Sequence, residues 1–252
     1  MRWPGRALEA GEVPPAPVLA YVAQQLGVAP AAFADYAHRD QTRREHLVEI
    51  RRSHGFRIFD RKAFHEVVAF SIPIAQTIVH PGQMAGVIVD ELRRRQILLP
   101  SSSVLEAVLR RARQQAEQLT YEVLTNGLLP DTLQGLDDLL ARRPGQVATW
   151  LSWMRNAPQS PAARNILRLI ERLAYIRALG LDRARADMIP ALTFDRLADE
   201  GSRITPQHLG ELNALRRHAT LAAQGIRLEE SLTDATLTMF DKLLGSMSRR
   251  AE

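Results

Sequence analysis

The sequence predicts an all-α fold, and three observations predict it. Apolar residues recur at three- and four-residue spacing along almost the whole chain, proline and glycine punctuate those runs where helices start and stop, and no useful stretch alternates with period two. The 252 residues suffice for one large domain or two of ordinary size, with 46% hydrophobic and 24% charged side chains, values ordinary for a globular protein.

Taken in order, residues 15–27 form the first helix, led by Pro14 and Pro15, with Val18, Val22 and Leu26 on one face and Gly27 as the stop. A short helix from Pro30 to about Ala37 follows. Residues 40–54 make a third, placing Leu47, Ile50 and His54 on one side and ending at Gly55. Segment 62–79 is apolar on most sides, and Pro73 within it is expected to kink or divide it, so that it reads as a buried helix pair. Helix 83–95 turns Met84, Val87, Ile88 and Leu92 inward and ends in Arg93, Arg94 and Arg95, which suit a helix C-terminus. After Ile97-Leu98-Leu99-Pro100, Ser101, Ser102 and Ser103 offer an N-cap for helix 103–126, whose expected core face is Leu105, Val108, Ala112, Ala116, Leu119 and Val123.

Beyond residue 128 the texture changes to shorter helices, at about 132–141, 146–155, 160–179, 190–200, 205–224 and 231–249. Ser160-Pro161 and Thr205-Pro206 read as N-cap and first-turn pairs, and Gly180 as a stop. The expected organisation is therefore two helical subdomains, 1–129 and 130–252, the first built from helix-turn-helix-like tri-helical units.

Much chemistry is excluded. Without cysteine there is no disulfide framework, thiolate catalysis or cysteine metal site. No glycine precedes a lysine and no Gly-x-Gly-x-x-Gly follows a strand, so the common phosphate loops are absent. No His-Glu-x-x-His occurs; His38, His46 and His54 recur every eight residues, in keeping with histidines at helix surfaces and core edges. The acidic pairs Asp137-Asp138 and Glu229-Glu230 are expected near helix starts, where they complement the dipole. No catalytic residue, metal or cofactor is expected. No apolar run reaches the roughly 20 residues of a membrane span, and the N-terminus lacks the features of a secretory signal, so a cytoplasmic location is expected.

The formal charge is +5, and all basic residues but Lys62 and Lys242 are arginine. That bias fits a GC-rich genome and equally fits contact with phosphate and guanine edges. Three arginine-bearing stretches are candidates. On the third helix, Arg44 and Arg51 share a face while Arg39, Thr42 and Arg43 lie at its start, a layout suited to a major-groove reader or to a solvated face with Glu49 paired to Arg52. The second stretch is Arg93, Arg94, Arg95, Ser101, Ser102 and Arg110, against which stand ordinary pairs of Glu106 with Arg110 and Arg113 with Glu117. The third is a stripe of Arg164, Arg168 and Arg172, with Ile166, Leu169, Ile170 and Leu173 toward the core.

The order Tyr36, Arg39, Thr42-Arg43-Arg44-Glu45-His46-Leu47, Glu49-Ile50 and Gly55-Phe56-Arg57 resembles the N-terminal region of Tn-three family transposases, the replicative class II type. Pro4-Gly5-Arg6 with Pro14-Pro15-Ala16-Pro17, Leu92-Arg93 with Ile97-Leu98-Leu99-Pro100, Arg217-His218-Ala219-Thr220-Leu221-Ala222, and Leu232-Thr233-Asp234 to Met239-Phe240-Asp241 extend the likeness over essentially the whole chain; His218 departs from an expected tyrosine. The resemblance implies a helical region that recognises terminal inverted repeats in double-stranded DNA, with the metal-dependent acidic triad far downstream. On that comparison the chain is expected to lack the family's extreme N-terminal segment and its catalytic part. The other reading is a non-catalytic interaction module, or an inactive remnant, whose ridge of Leu237, Phe240, Leu243, Leu244 and Met247 packs on the remainder of a longer protein or pairs with another copy as a homodimer.

Overall fold

A computed structural model describes residues 12–35 and 40–251, with Asp40, Arg43 and residues 249–251 described by their backbone alone. The expected roles of Pro4, Gly5, Arg6, Tyr36, His38 and Arg39 therefore lie outside the described residues. Among those described, the chain is all-α: twelve α-helices, one 3-10 helix and two isolated β-bridges, Arg57 with Ile97 and Arg142 with Thr149. It divides into two compact units, 1–113 and 114–252.

The first unit opens with α1 (Ala16–Leu26), stopped by Gly27 at φ 66°, and a 3-10 helix (Pro30–Asp35) where a short helix to Ala37 is expected. The expected face of Val18, Val22 and Leu26 forms but stays exposed, and α1 buries only Ala23. Helix α2 (Asp40–His54) follows, with Leu47 and Ile50 half-buried, and Gly55 at φ 68° turns the chain away. Only glycine takes that left-handed conformation without steric cost.

The core of this unit is made further along. Helix α3 (Arg61–Thr77) begins where the Asp60 carboxylate accepts the Ala63 N–H at 2.8 Å, and it runs unbroken through Pro73. The expected helix pair is thus one helix. Val67, Val68, Ser71 and Ala75 are buried on both sides of the proline, and the packing of that face outweighs a penalty of about 3 kcal/mol for proline inside a helix. Helix α4 (Pro81–Arg94) packs on α3 through Met84, Ile88 and Leu92, while Val87 is exposed rather than inward. Gln96, at φ 54°, then reverses the chain so that its carbonyl accepts Arg57 N–H at 2.8 Å and Leu98 N–H reaches the Arg57 carbonyl at 2.9 Å.

Helix α5 (Ser102–Thr125) crosses from one unit into the other. Val108 and Ala112 are buried in its first half and Ala116, Thr120, Tyr121 and Leu124 in its second, so the expected core positions Leu119 and Val123 are displaced by one residue. Sequence texture puts the boundary near 128–130, at the end of α5. The compact units divide earlier because Tyr121 and Leu124 already pack with Phe194, Leu197 and Ala223 of the second unit.

The second unit contains α6 (Pro130–Asp138), α7 (Trp150–Arg155), α8 (Ala163–Ala178), α9 (Arg183–Ala186), α10 (Ala191–Arg203), α11 (Pro206–Glu211) and α12 (Ala214–Ala251). Thr205 caps α11 as expected, accepting from His208 N–H at 3.3 Å, and Gly180 ends α8 at φ 65°. Ser160 is not the cap of α8, which starts behind Ala162; the Ser160 hydroxyl instead accepts from Asn165 Nδ2 at 2.8 Å. Residues 146–149 are not helical, because their backbone turns back in the Arg142–Thr149 bridge.

The two helices expected at 205–224 and 231–249 are replaced by short α11 and the 38-residue α12. Residues 219–226 are buried without interruption, a mostly apolar stretch in which Thr220 and Gln224 are the polar members. One cluster, with Leu136, Leu151, Leu169 and Leu209, packs against Leu221 and Ala222; the other, with Phe194 and Leu197, packs against Ala219, Ala223 and Ile226. Gly225 lets Leu181 close against the helix, since a Cβ there would stand 2.5 Å from Leu181 Cδ1. Glu229 and Glu230 are consequently mid-helix, paired to Arg177 at 2.9 Å and to Arg183. Asp137 likewise sits at the end of α6, where it holds Arg217 at 2.8 Å and His218 at 3.1 Å.

Candidate nucleic-acid interface

The arginines separate by what they already bind. A guanidinium fixed by carboxylates has its charge neutralised at home, whereas one without an acid partner keeps both charge and donors for a ligand. Arg93, Arg94 and Arg95 fall in the first class. Glu91, only 7% exposed in its side chain, accepts from Arg94 Nε and Nη2 at 2.7 Å each and from Arg95 Nε at 2.5 Å. The Arg94 hydrogen bond, helped by Arg95 and opposed by burial, holds the Glu91 carboxyl down at about 2. Arg93 pairs with Asp90 at 3.3 Å, and Arg95 also lies 3.7 Å from Glu66 and over the Phe70 ring. The expected phosphate-neutralising cluster is thus largely a cap that closes α4 on itself.

Helix α2 is the opposite case. Among the described residues, Arg44, Arg51 and Arg52 make no ion pair and no side-chain hydrogen bond, and the expected Glu49–Arg52 pair does not form. Arg44 is exposed and Arg51 half-buried, with Val48 exposed between them on the same side. Thr42 is half-buried at the start of the helix; the side chain of Arg43 lies outside the described residues. The helix keeps its stance through its C-terminal end: Phe56 N–H reaches the Arg51 carbonyl at 3.0 Å, and Gln96 Nε2 approaches the His54 carbonyl at 3.5 Å.

At the start of α5, Ser101, Ser102 and Ser103 are exposed, the first and third joined through their hydroxyls at 3.0 Å. Arg110, two turns on, is exposed and has no ion pair among the described residues. Arg113 donates to the Val79 carbonyl at 2.7 Å in place of the expected pair with Glu117. Among the described residues of the first unit, Arg44, Arg51 and Arg52 on α2 and Arg110 on α5 therefore carry no ion pair, whereas Arg93, Arg94 and Arg95 between them are paired.

The stripe on α8 is also reordered. Arg172 is 5% exposed and donates to the carbonyls of Trp153 at 3.0 Å, Arg168 at 2.9 Å and Asn156 at 3.3 Å, so it closes the C-terminal end of α7. Arg164 and Arg168 face solvent, and so does Ile170, contrary to its expected core position. Among the described residues no group of three or more His, Asp or Glu gathers to hold a metal, and no helix is long and apolar enough to cross a membrane.

The family model described as a domain of unknown function, DUF4158, matches residues 1–112, which nearly coincides with the first compact unit. Over its entire length the chain is 34% identical to the transposase for transposon Tn3926 and 32% identical to that for Tn21, both of Escherichia coli. Over 97% of its length it is 33% identical to the transposase for Tn501 of Pseudomonas aeruginosa. By sequence, the chain belongs to the Tn-three transposase family. It spans about a quarter of these relatives, 26%, 26% and 25% respectively.

The sequence elements that carry the Tn-three likeness have identifiable physical work in the structure. Arg57 and Ile97 form the β-bridge of the first unit, Leu92 is fully buried, and Ala219 to Ala222 lie within the buried stretch of α12. Arg217 and His218 are the two residues that fasten α12 to Asp137. Within the α2 element, Arg44 has no ion pair or side-chain hydrogen bond among the described residues, while Glu45 accepts from Gln41 at 3.0 Å and Arg57 pairs with Glu66 at 3.3 Å. Sequence reasoning missed one basic residue, Arg143, which lies over both Trp150 and Trp153; the spacing of two arginines ahead of two tryptophans was the available signal.

Proposed function

We propose that this chain is a DNA-binding portion of a Tn-three family transposase that recognises the terminal inverted repeats of its element, with α2 as the reading helix. The observation that carries the reading is the row of uncommitted arginines on α2, Arg44, Arg51 and Arg52, in a protein that otherwise pairs or caps many of its arginines. Family membership supports DNA as the partner. Arg43 at the helix start and Thr42 beside it add donors for phosphate, and Ser101, Ser102 and Arg110 on α5 form a second contact for the duplex backbone. Strand cleavage and transfer belong, in this reading, to the three quarters of such transposases that the chain does not span. The protein works in the cytoplasm on nucleoid DNA.

Titration of a repeat-containing duplex and a scrambled duplex across a salt series tests this. The expected result is tighter binding to the repeat at every salt concentration, with both affinities falling as salt rises. Equal affinities throughout remove the sequence-specific reading.

A second reading is favoured by one observation. Leu237, Phe240, Leu244 and Met247 are all exposed on α12 at alternating spacings of three and four, an apolar seam suited to pairing with another helix. In that reading the chain is an oligomerisation module and pairs as a homodimer. Sedimentation as a monomer at micromolar concentration argues against it.

A further inference from the structure

The second unit holds a stack of rings and guanidinium groups that the reading of α2 does not use. Trp150 and Tyr175 are stacked, with centroids 4.8 Å apart and planes 15° from parallel, and Arg143 lies over the Trp150 ring at 4.9 Å. Arg143 also lies 4.4 Å over Trp153, and Arg172 lies 4.3 Å over that same ring. Trp150 therefore packs against both Tyr175 and Arg143, and Trp153 against both Arg143 and Arg172, so each indole ring is already engaged within the unit.

What the stack leaves over is charge. Arg172 spends its donors on three backbone carbonyls, none of which removes its charge. Arg143 has no ion pair among the described residues, and its buried Nε has no hydrogen-bond acceptor there. Arg168 shares the neighbourhood, exposed and without an acid partner among the described residues, and the adjacent Arg142 and Arg164 are exposed as well. Burial lowers the Arg172 pKa, and the positive charges of Arg143 and Arg168 lower it further against a single opposing carboxylate, Glu171. Like charges held together at rigid positions repel one another, and an anion relieves that repulsion.

We propose that Arg143 and Arg168, braced by Trp150, Trp153 and Arg172, form a binding site for the phosphate backbone of duplex DNA, separate from the α2 surface. The engagement of both indole rings within the unit argues for phosphate over base, and the planar guanidinium fork suits phosphate oxygens. The proposal rests on the reading that the chain meets DNA, but not on any sequence preference. It assigns the second unit a positioning contact, which carries affinity and salt dependence without discrimination.

The test uses the full chain and two duplexes, one carrying the repeat and one scrambled, titrated from low to high salt. Arg143→Gln and Arg168→Gln are each expected to weaken both duplexes equally and to reduce the slope of log affinity against log salt by about 1, the share of one phosphate contact. Arg203→Gln, which removes an exposed arginine of α10 paired with Asp199 at 3.8 Å, controls for net charge and is expected to leave the slope unchanged. Unchanged slopes for Arg168→Gln overturn the proposal, as does wild-type chain that fails to bind the scrambled duplex at low salt. Arg168 contributes only its backbone carbonyl to the fold, so that variant stays informative if Arg143→Gln loosens the stack. Failure of the α2 reading looks different: repeat and scrambled duplexes bind alike while the Arg143 and Arg168 effects remain.

Discussion

At the scale of single residues, the difference between a structural and an available arginine decides where substitutions act. Arg44, exposed and unpaired among the described residues, is expected to cost ~1 to 3 kcal/mol of repeat affinity on replacement by alanine if it reads a base. Titration of repeat and scrambled duplexes checks it, and an unchanged ratio clears Arg44 of base reading. Glu91 is the counterpart in the fold. Its carboxyl ionises at about 2 in the folded chain against the ordinary 4.5, so the unfolded chain takes up the proton first as the pH falls. The stabilisation it contributes is whole above 4.5 and disappears between 4.5 and about 2. Chemical denaturation across that range is expected to show a loss of first-unit stability that Glu91→Gln largely removes, since glutamine does not titrate. None of this division was legible in the sequence, where Arg44 and Arg94 look alike. Which carboxylate reaches which guanidinium depends on burial and turn geometry: Glu91 faces inward on α4, while Glu49 on α2 is exposed and has no ion pair among the described residues.

At the scale of elements, periodicity located most helices but could not tell where a helix survives an unfavourable residue. Pro73 reads as an interruption because local propensity is the only information the sequence offers there, and packing decides otherwise. The acidic pair Glu229-Glu230 reinforced a false start, because the arginines that receive it come from α8, α9 and one turn of α12 itself. Glycine at a helix crossing leads to a prediction. A Cβ on Gly201 of α10 would stand 3.1 Å from the Thr220 carbonyl oxygen of α12, and that oxygen belongs to the backbone of a fully buried turn. Gly201→Ala is therefore expected to destabilise the second unit by ~1 to 3 kcal/mol through overpacking, despite alanine's better helix propensity. Gly210, with nothing within 4 Å of its Cβ position, is the matched control. Gly210→Ala is expected to be neutral or to stabilise by up to about 1 kcal/mol. Urea unfolding of both variants reads the contrast.

For the whole molecule, the residues that carry the family likeness and the residues available to a ligand are mostly different sets. The likeness was legible because packing constrains it: Leu92, Arg57 with Ile97, and Ala219 to Ala222 are fixed by the two cores and by the bridge between distant segments. The candidate interface was legible only as a basic helix, since exposure and pairing appear once the cores exist. Two cores also imply two stabilities. Met84, Ile88 and Leu92 belong to one compact unit and Leu136, Leu169 and Leu221 to the other, with α5 running through both ranges. Substitutions in separate cores with no shared partner act additively and independently. Calorimetry is therefore expected to resolve two transitions, one lowered by Leu92→Ala and the other by Leu169→Ala, each fully buried change costing ~2 to 5 kcal/mol. A single transition that both substitutions lower equally would mean that the continuous α5 backbone makes the two units unfold as one.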